Sequence, residues 1–429
     1  MREKLRISPI WRSDVTPYAD LLARLLPARR FGMVLGTERV RVVLDRLGSP
    51  DRRIGPVIQI GGTNGKGSVV AMLAALVRAG GTRVGAFTSP HLSSLRERFA
   101  IDGAPIDEDA LVAAADRVVA AGGGDLTFFE QLTAMAAVAF ADAQVDVALF
   151  EVGLGGRFDA TTAIAARIAV VTGVAMDHEA ILGSTLEAIA REKAGIFKRD
   201  QRVVIGASGE PAAVPLLEAA ARAAKASHIT VIGDAAVIAV PPLALRGAHQ
   251  RRNAAAALAA LDELAAFTDI RIDANARRAA LAQVVHPGRF ERIGDIILDG
   301  AHNPHGAAAL ADTLREHGLH PALIVGVSND KDAVAIAREL APVASHVIAT
   351  RYQQDRALAP AALAAAFHTA GHAFVEQAPD LGAALGRARE LGTTTVIAGS
   401  LFLVGEARVL LLGAPADPIV VGDPAHVRS

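Results

Sequence analysis

The sequence predicts an α/β protein of two units: an N-terminal domain with a parallel-rich sheet and a P-loop, then a smaller doubly wound α/β domain. Three observations lead there. Short Val- and Ile-rich runs alternate with Ala- and Leu-rich helical periodicity along most of the 429 residues, as buried parallel strands with helical crossovers require. The alternation breaks at His286-Pro-Gly-Arg289 and then restarts, which places a hinge there and divides the chain into 1–286 and 287–429. Finally, Pro56 to Val69 reads strand, glycine loop, lysine, hydroxyl, helix, the layout of a phosphate cradle.

Up to about Asp51 the chain reads as a helical lead-in. Leu21, Leu22, Leu25 and Leu26, then Val40, Val43, Leu44 and Leu47, keep helical spacing, and Phe31 to Arg39 between them reads as a packing segment or a lid. Val57 to Ile60 is a buried strand; the glycines after it allow a tight turn, and Val69, Val70, Met72, Leu73, Leu76 and Val77 mark a helix from Ser68. Further strands are expected at 83–88, 145–152, 168–174, 202–205 and 228–232, with helices at 107–121, 126–143, 253–267 and 274–285. Beyond the hinge, strands at 296–299, 322–327, 346–349 and 394–398 alternate with helices. Ligands of such sheets gather beyond the carboxyl ends of the strands; Ser89, Glu151 and His178 all fall there.

Apolar residues make up 52% of the chain and aromatic ones 4%, so the core is built from Ala, Val, Leu and Ile. A net charge of −1 gives no basic field for nucleic acid or an anionic membrane. With no cysteine, disulfides, thiolate zinc sites and cysteine nucleophiles are excluded, and a reducing, cytoplasmic setting is expected. Met1 to Arg6 has no apolar core after it, so it is not read as a secretory signal; the uncharged stretch Ala357 to Val375 holds Pro360 and Gly371 and is not read as a membrane span. Small-molecule partners and a monomer are expected.

Thr63, Asn64, Gly65, Lys66, Gly67 and Ser68 would wrap nucleotide phosphates. Lys66 would lie along the terminal ones, the Ser68 hydroxyl would meet Mg²⁺, and the helix start adds roughly half a positive charge. The loop departs from the commonest P-loop: Gly67 separates lysine from hydroxyl, and Ile60 replaces the first glycine. Ser89, Glu151 and His178 form a set that can hold a hard cation beside phosphates, although each alone reads as a loop residue. Lys193 alone reads as a surface lysine ending a helix. Turn chemistry explains Gly300, Asn303 and Pro304 but not the His302 imidazole. Arg289 reads either as a bidentate phosphate partner or as a solvated linker charge, and Val327 to Asp332 as a charged loop without an assigned role.

These segments together resemble the folylpolyglutamate synthase/dihydrofolate synthase family of the Mur-ligase superfamily. The stretches that carry the resemblance in the first half are Gly62-Thr-Asn-Gly-Lys-Gly-Ser68, Thr88-Ser-Pro-His91 with Glu97-Arg98, Thr127-Phe-Phe-Glu130, Glu151-Val-Gly-Leu-Gly-Gly-Arg-Phe-Asp-Ala-Thr161 and Asp177-His178. Glu192-Lys-Ala-Gly-Ile196, Pro287-Gly-Arg289, Asp299-Gly-Ala-His-Asn-Pro304, Asp330-Lys-Asp332 and Gly399-Ser-Leu401 complete them. The resemblance implies a Mur-ligase-type ATPase domain followed by a Rossmann-like ligase domain that closes over ATP and binds glutamate. It implies phosphate binding at Lys66 and its loop, Mg²⁺ at Ser89, Glu151 and His178, ATP contacts from Asn253, Arg289 and Asp299, and a place for a monovalent cation. It further implies carbamylation of Lys193, pterin binding at Phe128, Phe129 and Asp159, and orientation of glutamate and the acyl phosphate by Arg98, His302 and Ser400. Phe158 and Thr162 stand where leucine and asparagine are common, which bears on substrate fit.

The expected reaction is ATP-dependent addition of glutamate to a pteroate or folate through an acyl phosphate. A ligase acting on a cell-wall precursor is the second reading, and the P-loop begins too early for its extra N-terminal domain. A nucleotide switch without ligation is the third; it has no need of the Asp299 to Pro304 motif.

Overall fold

The structure, a computed structural model, describes residues 16–28 and 36–418. The run from Met1 to Arg6 and residues 31–35 of the segment read as packing or a lid lie outside them. In chain order the main elements of the first unit are α1 (Pro17–Leu25), α2 (Glu38–Arg46), β1 (Val57–Gly61), α3 (Lys66–Ala79), β2 (Val84–Phe87), β3 (Phe99–Ile101), β4 (Ala104–Pro105), α4 (Glu108–Ala120), α5 (Phe128–Asp142), β5 (Val147–Glu151), β6 (Ile168–Val171), β7 (Arg202–Ile205) and β8 (His228–Val231). The strands form one eight-stranded sheet in the order β4-β3-β2-β5-β1-β6-β7-β8, parallel from β2 to β8. Because β1 lies between β5 and β6, the loops after all three open into one crevice.

Both faces are covered, as buried, largely apolar parallel strands demand. Helices α1, α2, α4 and α5 pack on one face; α3 and the helix Ala248–Ala265 pack on the other. Thr127 and Glu130 start α5 reciprocally: the Thr127 N–H donates to Glu130 Oε2 at 2.7 Å, and the Glu130 N–H to Thr127 Oγ1 at 3.4 Å. Phe87, which ends β2, contacts the rings of Phe129 and Phe150 at 5.7 and 5.8 Å. Each such pair contributes about 0.5–1.5 kcal/mol beyond area burial, and together they fix the strand ends that carry Ser89 and Glu151.

The second sheet has β9 (Glu291–Ile293), β10 (Ile296–Leu298), β11 (Ala322–Val325), β12 (His346–Ala349), β13 (Val375–Gln377) and β14 (Thr395–Ala398) in the order β13-β12-β11-β14-β10-β9, parallel except for β9. Four short strands escape the sequence reading: β3 and β4, which form a hairpin, and the edge strands β9 and β13. Three residues of mixed polarity at a sheet edge carry no period long enough to read. Among the described residues no helix is long and apolar enough to cross a membrane; the uncharged stretch folds largely into the helix Pro360–Thr369.

Candidate active site

The phosphate loop is the short turn between β1 and α3. Gly65 has φ +85°, and a Cβ there would stand 2.3 Å from Asn253 Oδ1, so no side chain fits. Gly67, which sets this loop apart from the commonest form, is held by its surroundings. Its Cβ would meet His286 Nε2 at 3.0 Å and Glu151 Oε2 at 3.6 Å. A side chain directly after the lysine would crowd the His286 imidazole, and Ser68, one step into the helix, carries the hydroxyl instead. Lys66 Nζ donates to the carbonyls of Gly62 and Thr63 at 3.2 and 3.1 Å, folded onto its own loop. The loop forms one wall of a cavity of about 310 Å³.

Ser89, Glu151 and His178 all line that cavity. The Ser89 N–H donates to Glu151 Oε2 at 3.2 Å. Burial raises the pKa of the Glu151 carboxyl, and the Lys66 charge, the Ser89 N–H and Arg289 oppose it. A cation placed there would restore the carboxylate's charge. Among the described residues no three His, Asp or Glu side chains converge as a metal site. The Glu151 carboxylate and the Ser68 and Ser89 hydroxyls are oxygen donors that fit Mg²⁺ completing its shell with nucleotide phosphates and water, and the His178 imidazole is the softer member of the set.

Lys193 is not the surface lysine it resembles in isolation. The end of its helix (Leu186–Lys193) docks on the loop after β5, where the Arg157 N–H donates to the Glu192 carbonyl at 3.0 Å. Lys193 is 4% exposed, and its Nζ donates to the Gly62 carbonyl at 3.1 Å, the same carbonyl that Lys66 uses. Burial, then the nearby Lys66 charge, push its pKa down to about 7. His178, at φ +52°, is pushed down to about 4, chiefly by burial, with Asp177 opposing and Lys331, Lys66 and Lys193 adding; its imidazole is neutral at pH 7.

The other wall belongs to the second unit, with Arg289, His302, Ser328, Lys331, Arg356 and Ser400 among its residues. His302 Nδ1 lies 2.8 Å from the Gly300 carbonyl. That carbonyl only accepts, so Nδ1 carries the proton and Nε2 is the acceptor. Burial, then Lys331, lower its pKa to about 4. Of the two readings of Arg289, the structure favours the cavity wall over a solvated linker, with Nη1 donating to the Gly288 carbonyl at 3.1 Å.

Four expected contact residues stand behind the wall rather than on it. Phe128 is fully buried beneath Arg98, whose guanidinium lies 5.4 Å over its ring; Arg98 Nε donates to His91 Nδ1 at 2.8 Å. Asn253 backs Gly65, accepting from Ser208 Oγ at 2.8 Å and donating to Gln250 at 3.0 Å. Asp299 accepts from the backbone N–H groups of Phe290 and Ala301, both at 2.9 Å. Asp159 does reach the cavity, but Gly153, Leu154 and Thr161 supply four donors to its carboxylate. Those occupy its lone-pair directions, and Phe129 with Phe158 forms the apolar surface instead.

Sequence reasoning missed the contact between the walls. Asn303 Nδ2 donates to Asn64 Oδ1 at 3.1 Å and to Asp177 Oδ2 at 2.8 Å, and Lys331 Nζ reaches Asp177 Oδ1 at 2.9 Å. Burial opposes the Asp177 charge, but His178, Lys331 and His302 hold its pKa below the usual carboxylate range. Lys331 sits in the loop left without a role, and Asn303 looks like an ordinary helix cap, which it also is.

Both units match known protein domains. Residues 60–261 match the Mur ligase middle domain and residues 288–401 the Mur ligase glutamate ligase domain. The chain is 39% identical to a dihydrofolate synthase/folylpolyglutamate synthase of Mycobacterium tuberculosis, over 87% of this chain and 89% of that protein. It is 36% identical to a probable bifunctional folylpolyglutamate synthase/dihydropteroate synthase of Haloferax volcanii over 91% of this chain, but spans only 50% of that longer protein. Among solved structures it superposes on Mycobacterium tuberculosis folylpolyglutamate synthase complexed with ADP at a TM-score of 0.85, with 36% identity and coverage of 93% and 100% of the two chains. A bifunctional folylpolyglutamate synthase/dihydrofolate synthase of Yersinia pestis, complexed with AMPPNP and Mn ion, gives 0.82 at 28% identity, covering 93% and 100%. The two sheets, the phosphate loop and these relatives place the chain in the folylpolyglutamate synthase/dihydrofolate synthase family, with its two-domain Mur ligase fold.

Proposed function

We propose that this protein joins L-glutamate to the carboxylate of dihydropteroate, a folate or both, using ATP and releasing ADP and phosphate. The observation that supports this best is that the phosphate loop of one unit and the His302 imidazole of the other face one cavity. In this reading residues 1–286 bind ATP and the pterin compound, and residues 287–429 bring glutamate and close over the nucleotide.

A carboxylate is a poor acyl donor because oxide will not leave. Its oxygen attacks the γ-phosphorus of ATP, the bond to ADP breaks, and an acyl phosphate forms. Lys66 and Arg289 face the charge that spreads over the transferred phosphoryl group. The amine of glutamate then attacks the acyl carbon. His302 Nε2, neutral at pH 7, accepts the amine proton, and phosphate leaves. Water would hydrolyse the acyl phosphate, so both walls must enclose it. Ser68, Ser89, Glu151 and His178 would hold Mg²⁺, which when bound offsets phosphate charge.

Lys193 is carbamylated in this reading. A carbamate forms when a neutral amine attacks CO₂ and loses a proton, and a pKa near 7 gives this buried amine the neutral form that an exposed lysine lacks. The test is one assay in two tubes: ATP, Mg²⁺ and L-glutamate with dihydropteroate in one, tetrahydrofolate in the other. Glutamyl amide matched by ADP is expected in at least one. ATP hydrolysis without amide in either would overturn the proposal.

A further inference from the structure

The loop after β2 carries Ser89 and is irregular from Thr88 to Ser94, where the single helical turn Leu95–Arg98 begins. Its near end is tied to the first sheet: the Thr88 N–H donates to the Arg98 carbonyl at 3.0 Å and the Ser89 N–H to Glu151 at 3.2 Å. Glu97 folds its far end, accepting from the N–H groups of Leu92, Ser93 and Ser94 at 2.7, 3.1 and 3.0 Å. Five residues from Ser89 to Ser93 join the two ends, so a shift of the far end reaches Ser89.

The second unit holds that far end. Leu92 packs against the apolar cluster that contains Leu298, Leu403, Val404 and Ala407. The helix Leu401–Leu412 comes so close that a Cβ on Gly405 would overlap the Leu92 carbonyl oxygen. The helix ends at Gly413, φ +62°, and residues 413–418 turn back across the loop as a strap. The Asp417 N–H donates to the Ser93 carbonyl at 3.0 Å, and Ser93 Oγ lies 2.8 Å from the Pro415 carbonyl. The Asp417 carboxylate accepts from the Leu95 N–H at 2.7 Å and from the Tyr18 hydroxyl of α1 at 2.8 Å. The Leu95 N–H opens a helical turn and has no acceptor inside it, and Tyr18 is buried. One carboxylate from the second unit thus serves two donors of the first.

We propose that Asp417 and Leu92 are positioning residues: through them the second unit fixes the loop after β2 and so sets Ser89 beside Glu151 for the cation. This rests on the reading of Ser89 as a Mg²⁺ ligand. Removing a group that directly orients a metal ligand costs about 10- to 100-fold in metal affinity. Asp417 acts through several residues of loop, so its removal should cost less, about three- to tenfold on that scale.

The test compares full-length wild type with D417N, L92A, S89A and the D417N/S89A double variant. Hydrogen exchange is followed in residues 88–98 without nucleotide, and Mn²⁺ binding to the AMPPNP-loaded enzyme by electron paramagnetic resonance. In D417N the amide group of Asn can accept from only one of the two donors. The loop amides should then exchange about 10- to 100-fold faster, the range for a lost hydrogen bond to a charged group, while exchange in α5 stays as in wild type. Mn²⁺ affinity should fall with it, and the fall should be absent when D417N is made in S89A, because both act on one ligand. L92A, which breaks the other anchor, should show faster exchange and weaker Mn²⁺ binding as well. Wild-type exchange in both D417N and L92A would overturn the proposal whatever the metal does. So would Mn²⁺ binding that is weakened in S89A but unchanged in D417N, or losses in the two variants that add. Mn²⁺ binding unchanged in S89A would overturn the metal reading of Ser89 and this proposal with it, while faster exchange in D417N would still show the strap fastening the loop.

Discussion

The two walls of the cavity are built on different principles. The first is centred on one contiguous stretch: thirteen residues from Pro56 to Ser68 supply strand, turn, lysine, hydroxyl and helix start, and Ser89, Glu151 and His178 join them from neighbouring segments. The second is assembled: Arg289, His302, Ser328, Lys331, Arg356 and Ser400 come from five separate segments and meet because the four parallel strands β12, β11, β14 and β10 end side by side. A contiguous wall can be read from spacing; an assembled wall exists only after the sheet has formed. The first wall should therefore hold nucleotide, and the second should decide what is done with it.

That division is sharpest under substitution. K66A removes the phosphate-loop lysine, which the proposed reading sets against the terminal phosphates, and should lower kcat/KM by about 10³-fold, the upper range for a preorganised donor, with the melting temperature unchanged. Turnover near wild type in a folded K66A would remove the phosphate-cradle reading. On the opposite wall H302A should lower kcat by about 10²-fold, as expected for loss of a positioned base, while ATP affinity stays as it was. Weakened ATP binding in H302A would mean that the walls do not divide the work as proposed.

Legibility followed the same line. Apart from the four short strands β3, β4, β9 and β13, the strands of both sheets, the loop, and the strand-end residues Ser89, Glu151 and His178 were readable because burial of parallel strands leaves uninterrupted apolar runs and the chemistry sits at their ends. Lys193 was not: at a helix end a lysine is usually solvated, and only the docking of that helix on the loop after β5 buries it. Phe128 and Phe129 show the limit in two adjacent residues. Helical geometry turns one into the core and the other to the cavity, and a motif match cannot tell them apart. Asn303, Asp177 and Lys331 were legible as turn and loop residues, but their pairing spans the two units and no local spacing encodes it.

The Lys193 reading has a pH signature. Carbamylation needs the neutral amine, and with a folded pKa of about 7 that form becomes the minority below pH 7. Bicarbonate-dependent activity should fall as pH drops from 8 to 6, by about tenfold per unit once the amine is mostly protonated. K193A should lose about 10- to 100-fold in kcat, the range for the supporting shell of a metal site. Acetate or formate, which fill the gap with a carboxylate, should restore part of it. A nuclear magnetic resonance spectrum in ¹³C-bicarbonate should show one carbamate carbon that is absent in K193A. Absence of that signal in active wild type would leave Lys193 an ordinary buried amine.

The smallest expected effect lies where the walls touch. Asp177 joins them, held by Asn303 at 2.8 Å and Lys331 at 2.9 Å, with both members of the ion pair nearly out of water. Its folded pKa lies below the unfolded value. The stabilisation it gives is therefore fully present above the unfolded pKa of about 4 and is lost as pH falls through the folded pKa. D177N removes the charge but keeps the shape. It should cost about 1–3 kcal/mol at pH 7, as loss of a charged hydrogen-bond partner does, and the difference from wild type should shrink as pH falls below 4. K331M should show the same cost at pH 7 and little further loss when combined with D177N, because both break one contact. Thermal melts of the two single variants and the double variant, followed from pH 7 to pH 3, read all of this. Additive losses at pH 7 would mean that Lys331 and Asp177 stabilise the protein separately, and that the two walls are joined by Asn303 and Asn64 rather than by the ion pair.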